Sequence, residues 1–129
     1  MSSSNLEALG WDEWFEARAR AWCGQAGAAA RAARPARVAA VDRDQVLLLD
    51  EGGAFRGKLS GSFLHKAAAA SQRPCVGDWV WVEKAPGDPL GIVHGVLERK
   101  TELGRKAAGE SVEFQRIAAN VDVVLIVQA

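Results

Sequence analysis

The side chains of this sequence best suited to chemistry are cations. Between Gly52 and Gly77 there is no Asp or Glu, while Arg56, Lys58, Lys66 and Arg73 are all present. Arg56 and Lys58 share strand parity, so on an extended segment both project from one face. A stripe of this kind can neutralise phosphates. Arg99, Lys100, Arg105 and Lys106 form a second basic set, diluted by Glu98, Glu102 and Glu110. For either set taken alone, a solvated charged surface is an equally good reading.

Residues for bond-breaking chemistry are not assembled in the sequence. His65 and His94 fall in different segments, and no Ser or Cys nucleophile is paired with either, so both read as surface or interface residues. Asp78 reads as a turn residue that accepts hydrogen bonds from nearby backbone amides. The phosphate-cradling pattern Gly-x-x-x-x-Gly-Lys-Ser/Thr does not occur. Asn120-Val121-Asp122 has some likeness to the guanine-reading pattern Asn-Lys-x-Asp, but it is one residue short and lacks the Lys. Cys23 and Cys75 are far apart and outside any Cys-x-x-Cys or Cys/His cluster, which points to neither a zinc site nor a disulfide. No catalytic, cofactor or metal residue is therefore assigned.

Composition sets the frame for these residues. A chain of 129 residues supports one domain with a hydrophobic core. Its 16 Lys and Arg balance 16 Asp and Glu, so attraction to nucleic acid or an anionic membrane must come from local charge placement. No apolar run approaches the ~20 residues of a membrane span, and no secretory signal is evident. A cytoplasmic monomer is expected.

The elements that must position the cations follow from periodicity. Trp11, Trp14, Phe15 and Trp22 recur at helical spacing, with Asp12 and Glu13 in a favoured first turn, which predicts a helix over residues 10–22. The aromatic stripe is expected to face a core; docking onto another domain is the alternative. Residues 24–35 are rich in Ala and Arg and suit a helix or a connector, which Pro35 ends. From Ala36 short apolar runs alternate with turn residues, predicting strands at 37–41, 45–49 and 54–59. Ser62 is positioned to cap a short helix to residue 70, and a fourth strand opens at Val76-Gly77-Asp78. In it Val76, Val80 and Val82 share one face, and Trp79 and Trp81 the other. The two Trp residues either stack on bases or, the preferred reading, lie beneath the N-terminal helix. Residues 90–97 supply a fifth strand in which Gly91 and Gly95 mark bends.

Three strands, a helix and two strands define a mainly-β, five-stranded OB-fold Greek-key barrel. Residues 98–113, punctuated by Gly104 and Gly109, read as an exposed connector. Residues 121–127 are almost unbroken apolar, the pattern of a strand buried on both faces of a parallel sheet. The expected organisation is an N-terminal helix and linker over 1–35, a barrel over 36–99, and a connector with the first strand of a further α/β domain over 100–129.

From Leu9 onward these features together resemble the circularly permuted, ribosome-small-subunit-dependent GTPases of ribosome assembly. The likeness is carried by Leu9-Gly10-Trp11, Arg56-Gly57-Lys58, Val76-Gly77-Asp78-Trp79-Val80, Arg99 with Leu103 and Arg105, and Ile117-Ala118-Ala119-Asn120-Val121-Asp122. Val-Gly-Asp alone is common in β-barrels; its spacing to Ala-Ala-Asn-Val-Asp is the specific part. Ala36 stands where the family usually has Gly, and residues 60–70 are less basic than the family leads one to expect.

The resemblance implies an N-terminal OB-fold that contacts ribosomal RNA, a central GTPase domain and a C-terminal zinc-binding domain. It implies a role in late maturation of the small ribosomal subunit. Residues 121–127 would begin the GTPase domain, and the motifs for GTP, magnesium and zinc would lie beyond Ala129. The RNA contacts would be Arg56, Lys58, Lys66, Arg73, Arg99, Lys100, Arg105 and Lys106. A protein-interaction barrel, docking a partner or its own GTPase domain through the Trp face or the N-terminal helix, is the alternative.

Overall fold

The structure, a computed structural model, describes residues 4–25, 33–43, 45–66, 73–106 and 114–128. A short helix α1 (Ser4–Glu7) precedes α2 (Glu13–Gln25). Asp12 caps α2, its Oδ1 accepting from the amides of Trp14 (3.0 Å) and Phe15 (3.3 Å). The helix thus begins after Trp11, three residues later than the aromatic spacing alone suggests. Trp11 packs from the preceding corner, where its Nε1 donates to Glu16 Oε2 at 2.8 Å.

The barrel comprises β1 (Arg34–Val41), β2 (Val46–Asp50), β3 (Gly53–Leu59), β4 (Trp79–Glu83) and β5 (Leu90–Val96), closed in the order β1-β2-β3-β5-β4. β3 and β5 run parallel, and the other strand pairs are antiparallel. This is the expected OB-fold, and closure leaves no unpaired edge among its strands. Pro35 lies inside β1, opposite Trp81, so the first strand starts earlier than expected. A helix α3 (Gly61–Lys66) follows β3; Ser60, not Ser62, caps it, its Oγ accepting from Phe63 N at 3.0 Å. The rest of the helix expected to residue 70, and most of the 24–35 linker, lie outside the described residues.

The alternation along β4 builds two cores. Val80 and Val82 point into the barrel with Ala36, Val38, Leu48 and Val93, and Phe63 of α3 joins them. Trp79 and Trp81 point outward beneath α2, with Trp11, Phe15 and Leu97. Trp22 stacks on Trp81 at 4.7 Å between ring centroids, and Trp11 meets Trp79 edge-on at 4.9 Å. Trp22 also packs over Gly95 of β5, where an added Cβ would lie at ordinary van der Waals distance, 3.5 Å from its Nε1. The indole nitrogens of Trp79 and Trp81 are buried without a partner among the described residues, costing about 1–3 kcal/mol each. Burying a Trp yields roughly 4–6 kcal/mol at most, so packing wins.

One expectation is corrected. The 98–113 connector contains a strand, β6 (Glu102–Lys106), paired antiparallel with β7 (Phe114–Ala119) in a separate two-stranded sheet. Residues 121–128 form no strand among the described residues, and Val123, Leu125, Ile126 and Val127 are strongly exposed. An apolar run becomes a strand only when a neighbour supplies hydrogen bonds and cover, and nothing in the described chain covers this one.

Candidate nucleic-acid interface

Arg56 and Lys58 are exposed on β3, while Gly57 between them is buried. Pairing fixes their neighbours: Leu47 of β2 lies opposite Arg56, which on its other side meets Leu90 of β5, and Lys58 meets Ile92. The outward face of β2, β3 and β5 thus sets two cations among half-buried aliphatic residues. Glu83, which follows Ile92 across to β4, is engaged by His94 Nε2 at 3.1 Å. Two loops beside this barrel carry cations that sequence reasoning passed over: Arg43 between β1 and β2, and Lys84 between β4 and β5. Lys84 Nζ lies 5.5 Å from the Phe55 ring centroid. Their signal is positional, because only the barrel order makes these loops significant.

The other predicted cations have separate placements. Arg99 is an internal brace: its Nε and Nη2 meet Asp78 Oδ1 and Oδ2 at 2.7 and 2.8 Å, and Asp78 is fully buried. Burial opposes the Arg99 charge, but the Asp78 carboxylate more than offsets this and raises its pKa. Arg73 is exposed, and its carbonyl accepts from Arg99 Nη2 at 3.3 Å. Lys100 Nζ reaches Asp12 Oδ2 at 2.9 Å, tying the connector to the cap of α2. That bond is the main reason the Asp12 carboxyl sits below its ordinary value. Arg105 is exposed on β6; the side chains of Lys66 and Lys106 fall outside the described residues.

Asp78 does behave as the turn residue expected of it, since its Oδ2 also accepts from Cys75 N at 2.8 Å. Burial first, and then the Asp78 charge, push the free Cys75 thiol up to about 11.

Arg37, which the sequence does not single out, and Asn120, noted there only within motif likenesses, form the joint beside this turn. Arg37 donates from Nε to Gly77 O at 3.0 Å, from Nη2 to Asn120 O at 2.8 Å, and from Nη1 to Leu9 O. Burial lowers its pKa, with Asp122 and Asp78 opposing. Asn120 adopts a left-handed φ of 56°. Its Nδ2 donates to Gly77 O at 3.0 Å and its Oδ1 accepts from Lys100 N at 2.8 Å. The Val-Gly-Asp turn and the Ala-Ala-Asn-Val-Asp segment are therefore in direct contact. Among the described residues no cluster of His, Cys, Asp and Glu could hold a metal ion, and no helix is long and apolar enough to cross a membrane.

Barrel order, capping helix and outward cations define an OB-fold module with a basic face. No protein-family model matches the chain. It is 33% identical over 130 residues to the small ribosomal subunit biogenesis GTPase RsgA of Opitutus terrae, covering 95% of this chain and 34% of that protein. It is 35% identical over 94 residues to RsgA of Leptospira interrogans, covering 73% of this chain and 25% of that protein. The crystal structure of YjeQ from Thermotoga maritima is similar at TM-score 0.48 and 26% identity, over 70% of this chain and 28% of that one. The chain belongs to the RsgA family, as its N-terminal portion. It spans between a quarter and about a third of the length of these curated relatives.

Proposed function

We propose that this chain is the RNA-contacting module of a GTPase that assists late maturation of the small ribosomal subunit. The observation that carries this is the pairing of Arg56 and Lys58 on the outward face of β3 in a closed OB barrel. OB-folds hold oligonucleotides on the β2–β3 face and on the β1–β2 and β4–β5 loops, here the loops bearing Arg43 and Lys84. Because Trp79 and Trp81 are packed under α2, the anchoring is electrostatic, reading phosphates with no base specificity. Lys66, Arg73, Lys100, Arg105 and Lys106 complete the proposed set; Arg99 serves it from behind by holding the turn.

In this reading residues 121–127 are the first strand of a GTPase domain, which accounts for an apolar segment the barrel does not cover. GTP and magnesium would bind that domain, and a structural zinc a further one; the module itself carries out no hydrolysis. The protein would act in the cytoplasm as a monomer. The competing role of the Trp face as a protein-docking surface loses its surface to α2.

Replacing Arg56 and Lys58 together by Ala tests the assignment. Affinity for small-subunit RNA should fall, and the slope of log K against log salt should flatten by about 0.7–0.9 per lost phosphate contact. Unchanged affinity and slope would remove the β3 face from the interface.

A further inference from the structure

Arg37 joins three segments that are distant in sequence. Its guanidinium donates to the carbonyls of Leu9, at the corner between α1 and α2, of Gly77, in the turn before β4, and of Asn120, where the chain leaves β7. The exit is pinned further: Ala119 N donates to Val76 O at 2.8 Å, Asn120 N to Thr101 O at 2.7 Å, and Thr101 Oγ1 to Val121 O at 2.8 Å. Lys100, whose amide is held by Asn120 Oδ1, reaches back to Asp12 at the start of α2. The N-terminal corner and the exit are thus bridged twice, once through the Arg37 fork and once through Lys100. Beyond this knot the exposed apolar run begins at Val123.

We propose that Arg37 and Asn120 are positioning residues that couple the seating of the N-terminal helices to the direction in which residues 121–127 leave the barrel. A planar fork that serves three carbonyls keeps its geometry only while all three segments stay in place. Release of the corner therefore loosens the exit, and release of the exit loosens the corner, with the barrel core unchanged. Any event that shifts α2 is passed to whatever the exit segment joins. This coupling is independent of whether the β3 face binds RNA.

Native-state amide exchange on the 129-residue chain tests it. Leu9, Gly10 and Trp11 carry hydrogen-bonded amides that report the corner, and Ala119 and Asn120 report the exit. Asn120→Gly keeps the left-handed backbone accessible and removes the side-chain bonds; Arg37→Lys keeps the charge and removes the fork. Each should lower protection about tenfold at both the corner and the exit, leaving the amides of Leu48, Val80 and Val93 as in the parent. Should Arg37→Lys fail to fold, Asn120→Gly decides alone, since its side chain makes no bond to residues 6–15. Loss confined to one site, no loss at either, or a uniform fall through the barrel amides would each overturn the coupling.

Discussion

Gly77 has φ of +93°, and an added Cβ would lie 2.0 Å from the carbonyl oxygen of Ala119. Gly77→Ala therefore combines left-handed strain with a backbone collision, and denaturant unfolding should show a loss of more than about 2 kcal/mol. Next to it, Asp78 is fully buried and depends on Arg99, so Arg99→Ala leaves a buried carboxylate without its partner and should cost about 3–5 kcal/mol. Cys75 gives a pH signature. The fold raises its pKa from 9.0 to about 11, so it favours the protonated thiol. The associated stability is whole below pH 9.0 and is lost as pH rises toward 11. Alkylation at pH 8 should accordingly be at least about tenfold slower in the native than in the unfolded chain. At this scale Asp78 is legible as a turn residue because its bond to Cys75 is local. Asn120 is not legible, because its partner Gly77 lies 43 residues away and no local pattern encodes that bond.

The helix α2 and the strand β4 depend on each other. Trp79 and Trp81 make an apolar outer face that water would otherwise meet, and α2 exists in place largely because it covers that face. Trp79→Ala should cost about 3–5 kcal/mol, measured by equilibrium unfolding. Deleting residues 1–25 should leave a barrel that binds an apolar dye and self-associates, read by fluorescence and light scattering. The period-two alternation of β4 and the aromatic spacing of α2 can both be read from sequence because each is a local repeat with large side chains. The β6–β7 pairing escapes because its strands are separated by residues 107–113 and interrupted by Gly104 and charged residues. Only the register, with Arg116 of β7 bonded to Glu102 of β6, shows that these charged segments are partners.

For the whole molecule, neutral net charge coexists with a local basic stripe because the charges are segregated along β3 itself, while the β1–β2 and β4–β5 loops carry Asp42 and Asp88 beside their cations. Asp78 and Asp12 pair with Arg99 and Lys100, and Glu98 with Arg18, whereas the outward face of β3 carries Arg56 and Lys58. The barrel and its strand order follow from the run of short strands, the helix after the third, and the turns between them. The division of the cations into exposed ones and internal braces required coordinates. Residues 121–127 read as a buried strand from composition, whereas in the described chain they form no strand and residues 122–127 lie exposed. Co-sedimentation of the chain with purified small and large ribosomal subunits, without nucleotide and across a salt series, tests the central claim most directly. The proposed module predicts selective binding to the small subunit that falls steeply as salt rises and weakens in the Arg56→Ala, Lys58→Ala double variant. Absence of binding at low salt, or binding indifferent to salt and to both substitutions, would contradict a phosphate-anchored docking module.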